Sequence, residues 1–246
     1  LINKKLIYDF DDAIYLSPVN DNFFINILRF KWRVRYIAKL SKMIFIGNRF
    51  LEDYIKKYNR NTYIIPTTVD INNYNSKLET HSSKVIVGWT GSKSTSIYIQ
   101  EIIPVLEKVN QKVPFDIIVL GARIDLGSLS GKCLIWNSKN EEKFIRKMDI
   151  GLMPLPDNKW TQGKCGLKAI QYSNYFIPSI VSDVGVNDEV IINDQTGYVV
   201  QNNEELADKL INLIKNKKLR MEMGIKANHH VKKNYNSEYV ASKIML

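Results

Sequence analysis

The sequence is poor in cysteine and histidine. Cys133 and Cys165 are the only cysteines in 246 residues, and His81, His229 and His230 are the only histidines. Two cysteines make no disulfide framework, and no CxxC pair is present to ligate a metal. The histidines lie in a polar stretch and near the carboxyl end, away from every motif below. That argues against His-based catalysis and against a His-built zinc site. No apolar run reaches the roughly 18 residues that a membrane span needs. The opening LINKKLIYDF has no long apolar run and no small-residue cleavage site, so no secretory leader is expected. Position 1 is not methionine and is not expected to be the natural start. GxxxxGK[ST] and GxGxxG are both missing, which excludes a Walker A loop and a dinucleotide fingerprint.

What is present is an ordinary globular composition, 45% apolar and 24% charged, with a formal charge of +10. A basic chain suits nucleic acid, an anionic membrane surface or a phosphorylated ligand. A coding bias toward Lys and Asn produces the same excess. No helix-turn-helix or zinc-finger pattern accompanies the charge, so no nucleic-acid partner is expected.

Apolar strands alternate with helical periodicity along the chain, the pattern of βαβ units and a parallel sheet. Strands are predicted at 84–89, 114–121, 133–136, 149–155, 178–182 and 197–200. Helices are predicted at 97–110, 141–148, 164–174, 187–192, 203–216 and 217–234, with Thr95 or Ser96 as an N-cap and Pro104 kinking the first helix or starting a second. The six strands make a complete Rossmann-like domain. The first 75 residues read as three further strands (6–12, 43–47, 62–66), with helices over 22–42 and 48–59. They look like the tail of a second such domain. The polar stretch 67–83 is the linker.

Ligands in parallel sheets bind at the carboxyl ends of strands, near helix N-termini. That directs attention to three loops. In GWTGSKSTS (88–96), Gly91 permits close approach, and Ser92, Ser94 and Thr95 supply hydroxyls for a phosphate; a plain helix cap explains the same residues. In PLPDNKWTQGKCGLKAIQY (154–172), Gly163 and Gly166 lead into a helix. Lys164 and Lys168 stand four apart and share a face if that helix includes both. Positive charge in a first turn opposes the helix dipole, a mismatch that a diphosphate would resolve. In VSDVGVNDEVI (181–191), the turn at Gly185 and the groups around Val186 and Asn187 suit phosphate or sugar, or merely cap a helix. Upstream, YDFDD places Asp9, Asp11 and Asp12 at a strand end, with Asp9 and Asp11 on one side if the strand extends that far, as a pair of acids for a metal or a general base, or as a solvated turn and helix start. Residues 22–42 carry six Lys/Arg and no acid beside an apolar stripe, which suits an anionic membrane surface or a core helix with a basic exterior.

DIGLMPLPDNKW, GKCGLKAIQY, PSIVSDVGVNDEVI and TGYVV, in this order, resemble the carboxyl-terminal half of family 4 (group 1) glycosyltransferases of the GT-B fold. YDFDD, GNRFL, IIPTTVD and GWTGSKST fit one bacterial branch of that family. The resemblance covers essentially the whole chain. It implies an α/β, GT-B-like fold. Residues 1–75 are then a partial N-terminal acceptor-side domain that lacks its first part. Residues 76–234 form a Rossmann-like nucleotide-sugar domain, and 235–246 a helix crossing back to the first domain. It also implies a retaining, metal-independent, hexosyl-type transferase without cofactor. Its donor would be a nucleotide-diphosphate sugar and its acceptor a glycan or glycolipid. The expected location is the cytoplasm, with peripheral contact to the inner face of the membrane.

By this resemblance the donor site is Gly91, Ser92, Thr95, Gly163, Lys164, Gly166, Lys168, Gln171, Gly185, Val186 and Asn187. Lys164 stabilises the leaving diphosphate. Asp11 or Asp12 orients the acceptor hydroxyl or takes its proton. One departure stands out. Many members carry two glutamates eight positions apart, and here those positions are Gly163 and Gln171. Neither is a carboxylate, although the Gln171 amide can still meet a ribose hydroxyl. The rival readings are a non-catalytic or truncated sugar-nucleotide binder, a GT-B-like epimerase and a basic nucleic-acid module.

Overall fold

The structure, a computed structural model, describes residues 6–16, 31–71, 77 and 83–244. These residues fall into two compact units. The first comprises the described residues of Leu1–Thr67 with Asp157–Leu167 and Val184–Val186. The second takes the described remainder, within Thr68–Pro156, Lys168–Asp183 and Asn187–Leu246.

The first unit has a three-stranded parallel sheet in the order β1 (Ile7–Phe10), β2 (Met43–Ile46), β3 (Thr62–Ile64). Helices α1 (Lys31–Leu40) and α2 (Arg49–Ile55) connect the strands. Ile44 and Ile46 of β2 are fully buried with Leu51 and Ile55 of α2, next to Phe10, Val34 and Ala38. Alternation along β2 and a three- to four-residue spacing on the helices produce this core. Strand β1 stops at Phe10, short of the predicted 6–12. Asp11 and Asp12 therefore lie on the following loop rather than on a strand face with Asp9. Of the predicted 22–42 helix, 22–30 lies outside the described residues.

The second unit is built on six parallel strands in the order β6-β5-β4-β7-β8-β9. Their ranges are β4 (Val85–Thr90), β5 (Phe115–Leu120), β6 (Gly131–Leu134), β7 (Ile150–Met153), β8 (Ser179–Ser182) and β9 (Gly197–Val200). The change of direction lies between β4 and β7, where Val87 pairs with Ile150 and Gly88 with Gly151. Every residue of β7 is buried, as expected of a central parallel strand.

Helix α3 (Ser96–Lys112) packs with α8 (Asn203–Lys215) over one continuous apolar cluster. The remaining helices are α4 (Glu141–Ile145), α5 (Lys159–Gln162), α6 (Leu167–Asn174), α7 (Asn187–Val190), α9 (Lys217–Asn234) and α10 (Ser237–Ile244). Among the described residues no helix is long and apolar enough to cross a membrane.

Several local expectations change. Helix α3 runs on through Pro104 instead of starting a second helix there. Pro104 has no N–H to give to the Gln100 carbonyl, and it sits on the exposed side, where its ring meets solvent. The strand predicted at 133–136 is shifted two residues earlier. Ile135 and Trp136 follow it and are 75% and 51% exposed. Residues 159–162, read as loop, form a separate turn, α5, ahead of the helix predicted from 164 to 174. The single turn α5 is capped by Asn158, whose side chain accepts from Trp160 and Thr161 N–H. Helix α6 then begins only at Leu167.

Candidate functional site

The late start of α6 corrects the lysine pair. Lys164 precedes the helix and Lys168 lies inside it, so the two share no helical face. They also belong to different units. The sequence-derived site residues are therefore described unit by unit.

In the first unit the turn 162–165 is held by the loop after β1 and by the start of α2. Asn48, 3% exposed, caps α2 by accepting from the Leu51 N–H at 2.9 Å. Its Nδ2 donates to the carbonyls of Gln162 at 3.3 Å and Lys164 at 3.2 Å. The buried Cys165 thiol donates to the Asp11 carbonyl at 2.9 Å. Burial first, then Asp11 and Asp12, push that thiol up to about 12, so it stays protonated and inert at neutral pH. Lys164 Nζ bonds Asp12 Oδ1 at 2.8 Å and lies 5.0 Å from the centre of the Trp160 ring. Two residues chosen for separate roles, Asp12 and Lys164, are thus ion-paired.

Gly163 is sterically crowded. A Cβ there would come within 2.7 Å of Ala13 Cβ and 3.3 Å of Leu51 Cδ2. The position is closed to any side chain. Gly166 and Gly185 have φ of 71° and 66°, values that favour glycine. A Cβ on Gly185 would lie 3.2 Å from the carbonyls of Gln162 and Lys164, so this second turn rests on the backbone of the first. Val186 follows it and is partly exposed.

In the second unit the carboxyl end of β4 turns through Gly91 into a 3₁₀ turn, Lys93–Thr95, that runs into α3. Much of its hydrogen bonding is internal. Gly91 N–H donates to Leu120 O at 3.0 Å, Thr95 N–H to Ser92 O at 3.1 Å, and Ser92 N–H to Thr95 Oγ1 at 3.2 Å. Thr95 is therefore a lock on the turn, with no side-chain cap on α3. The exposed donors are hydroxyls, with Ser92 Oγ and Ser94 Oγ 2.8 Å apart. Lys168 Nζ lies 5.7 Å from the centre of the Trp89 ring, and Trp89 is 2% exposed. Gln171 Nε2 donates to Glu141 Oε1 at 3.4 Å. The buried Asn187 amide donates to Ser182 O at 2.9 Å, which closes the turn locally.

Sequence reasoning missed Asn48 and Tyr172. Tyr172 is fully buried. Its hydroxyl accepts from the Thr90 N–H at 2.9 Å and donates to Leu152 O at 3.3 Å, which ties α6 to the ends of β4 and β7. Burial, only partly offset by the Thr90 bond, holds this phenol well above its usual range. The cap position in GNRFL was a signal for Asn48, because Asn is a favoured N-cap. Nothing local marked Tyr172, whose spacing in the helix fits any buried residue.

With this geometry in view, comparison with known proteins is informative. Residues 132–230 match the family described as glycosyl transferases group 1. The group 1 segment runs from β6 into α9. It contains Gly163, Lys164, Gly166, Lys168, Gln171, Gly185, Val186 and Asn187, and excludes Asp11, Asp12 and the 91–95 turn.

The α/β fold with parallel sheets is the GT-B-like one expected from the resemblance. Sucrose-phosphate synthase (tll1590) from Thermosynechococcus elongatus matches over 97% of this chain and 66% of its own, with 14% identity and a TM-score of 0.72. TarM matches over 97% and 49%, with 17% identity and a TM-score of 0.73. Anabaena Alr3699/HepE in complex with UDP and glucose matches over 97% and 70%, with 12% identity and a TM-score of 0.73. The chain thus spans about half to two thirds of the first two. No curated protein matches the sequence.

Proposed function

We propose that the chain is part of a group 1 glycosyltransferase. In this reading it moves a hexosyl unit from a nucleotide-diphosphate sugar to a glycan or glycolipid acceptor, with retention at the anomeric carbon and no metal. The carrying observation is the group 1 match lying on a six-stranded parallel sheet whose β4 end turns through Gly91 into a helix. UDP is the first donor nucleotide to try, because a structural neighbour of the same fold was solved with UDP and glucose.

In the second unit the hydroxyls of Ser92 and Ser94 and the Lys168 ammonium serve the donor phosphates. Thr95 holds the turn, and Gln171 meets the ribose. In the first unit Lys164 stabilises the diphosphate as it leaves. Asp11 and Asp12 are the acceptor-side carboxylates. The glycines at 163, 166 and 185 keep the backbone of that region close.

Calorimetric titration of the chain with UDP, GDP, ADP and CMP tests the donor reading. One nucleoside diphosphate should bind at micromolar affinity. Lys164→Ala should weaken that binding by about 1–3 kcal/mol, the range for a charged hydrogen bond, and lower the thermal midpoint only slightly, because the Asp12 partner it leaves is partly exposed. Binding of none of the four would sink the proposal. Product anomer analysis and assay in EDTA test retention and metal independence.

One observation favours a second reading, a sugar-nucleotide binder without transfer. The position where the resemblance leads one to expect a glutamate is crowded at Gly163, and Gln171 is engaged with Glu141. Nucleotide binding without sugar transfer, on the chain with its natural flanks, would select it.

Membrane contact is assigned to α1. Its exposed residues include Trp32, Tyr36, Arg33 and Lys39, and it contains no acid, a pattern suited to anionic lipid at the cytoplasmic face.

A further inference from the structure

In the first unit a carboxylate already occupies the cation assigned above to the donor diphosphate. Lys164 Nζ sits 2.8 Å from Asp12 Oδ1, the length of a charge-assisted bond. Neighbouring backbone bonds preset the pair. The Cys165 thiol grips the Asp11 carbonyl, so the residue after Lys164 is tied to the residue before Asp12. Asn48 holds the Lys164 carbonyl itself. The two side chains therefore meet at little entropic cost. They are also reachable, with Lys164 20% and Asp12 40% exposed. A phosphate oxygen and a carboxylate oxygen ask for the same N⁺–H donors. An anion that takes the N–H now aimed at Asp12 Oδ1 therefore displaces the carboxylate from it.

We propose that Asp12 is a built-in competitor for Lys164. A diphosphate takes the ammonium and releases the Asp12 carboxylate, which then becomes free to accept a hydrogen bond from the acceptor hydroxyl. This rests on the reading that Lys164 holds the donor diphosphate. It adds an order of events to that reading. Before the donor is in place, Asp12 Oδ1 is occupied by Lys164. Afterwards it is unpaired. Premature activation of an acceptor, or of water, is thereby suppressed. Donor affinity is correspondingly weaker than Lys164 alone would provide.

The sign of the effect is diagnostic. A carboxylate that merely lined the site would repel an anion whether or not Lys164 were present. A competitor acts only through Lys164. The full chain and its variants are titrated with UDP and with inorganic pyrophosphate. Asp12→Asn is expected to tighten binding about two- to fivefold, the span of a half-exposed ion pair. Asp12→Ser, which removes the carboxylate differently, should act with the same sign. Neither change should alter affinity in a Lys164→Ala background. Equal tightening in both backgrounds would reduce Asp12 to simple repulsion and overturn the proposal. So would unchanged or weaker binding by Asp12→Asn while Lys164→Ala still weakens it, an outcome that leaves the donor reading intact. If Lys164→Ala binds as well as the parent chain, the donor role of Lys164 falls, and the competition falls with it.

Discussion

Gly121→Ala is expected to destabilise the second unit by about 2–5 kcal/mol, the sum of a backbone held where only glycine is at ease and an overpacked contact. Gly121 follows β5 with φ of 100°, and a Cβ there would collide with the Gly91 carbonyl oxygen. That atom is backbone and cannot rotate away. Gly91 has little room to retreat, because its N–H is bonded to Leu120 O and its own Cα faces the Trp89 ring. Relief must therefore come from displacing the turn that carries Ser92 and Thr95. The denaturant midpoint should fall sharply with an unchanged slope. Nucleotide affinity should fall at temperatures where the variant is still folded. A midpoint within experimental error of the parent would show that the turn yields freely, and would remove the basis for treating it as a preformed phosphate cradle.

Tyr172→Ala should cost more than any surface change in the site, about 3–5 kcal/mol for emptying a fully buried aromatic position. The ring packs directly against Gly151 of β7, where a Cβ would collide with it. Central strand and helix thus approach as closely as a glycine allows. Tyr172→Phe separates packing from hydrogen bonding. It keeps the ring but strands the Thr90 N–H, a buried donor whose loss of its partner costs about 1–3 kcal/mol. Amide exchange at Thr90 reads this directly. Protection there should drop in Tyr172→Phe by more than at Ile117 or Val119 in the middle of β5. Uniform loss of protection across the sheet would mean that the hydroxyl contributes only to global stability. The bond would then not organise the end of β4.

These two residues mark the limit of what periodicity can reveal. Five of the six strands of the second sheet were legible, because each is a short β-branched or apolar run closed by Gly, Pro or a polar cluster, whereas β6 was read two residues late because Ile135 and Trp136 look like strand residues but are exposed. The interiors of the helices were legible too. In α8, for example, Leu206, Leu210, Leu213 and Ile214 repeat at the period of one buried face. Failures gathered where tertiary contacts override local preference. Asn158 was an available N-cap signal, yet residues 159–162 read as loop, because a single turn carries too few residues to display a period. Pro104 read as an interruption, yet α3 continues. The buried face formed by Ile99, Ile102, Ile103 and Leu106 on the sheet outweighs one missing backbone bond.

For the candidate site, the sequence offered residue types and their order. Glycines at 91, 163, 166 and 185, lysines at 164 and 168, and acids at 11 and 12 were all found by asking where strands end and what a phosphate needs. The group 1 resemblance was legible in the same segments. Only the tertiary structure decided how those residues are used. It pairs Lys164 with Asp12, 152 positions away along the chain, and fills the space beside Gly163 with Ala13. It also commits Thr95 and Asn187 to their own turns. The reason is physical. A local pattern specifies which groups a turn can offer to a ligand. Whether a group is still available depends on partners brought in from distant strands, and a carboxylate or a carbonyl at 3 Å leaves no trace in the neighbouring sequence.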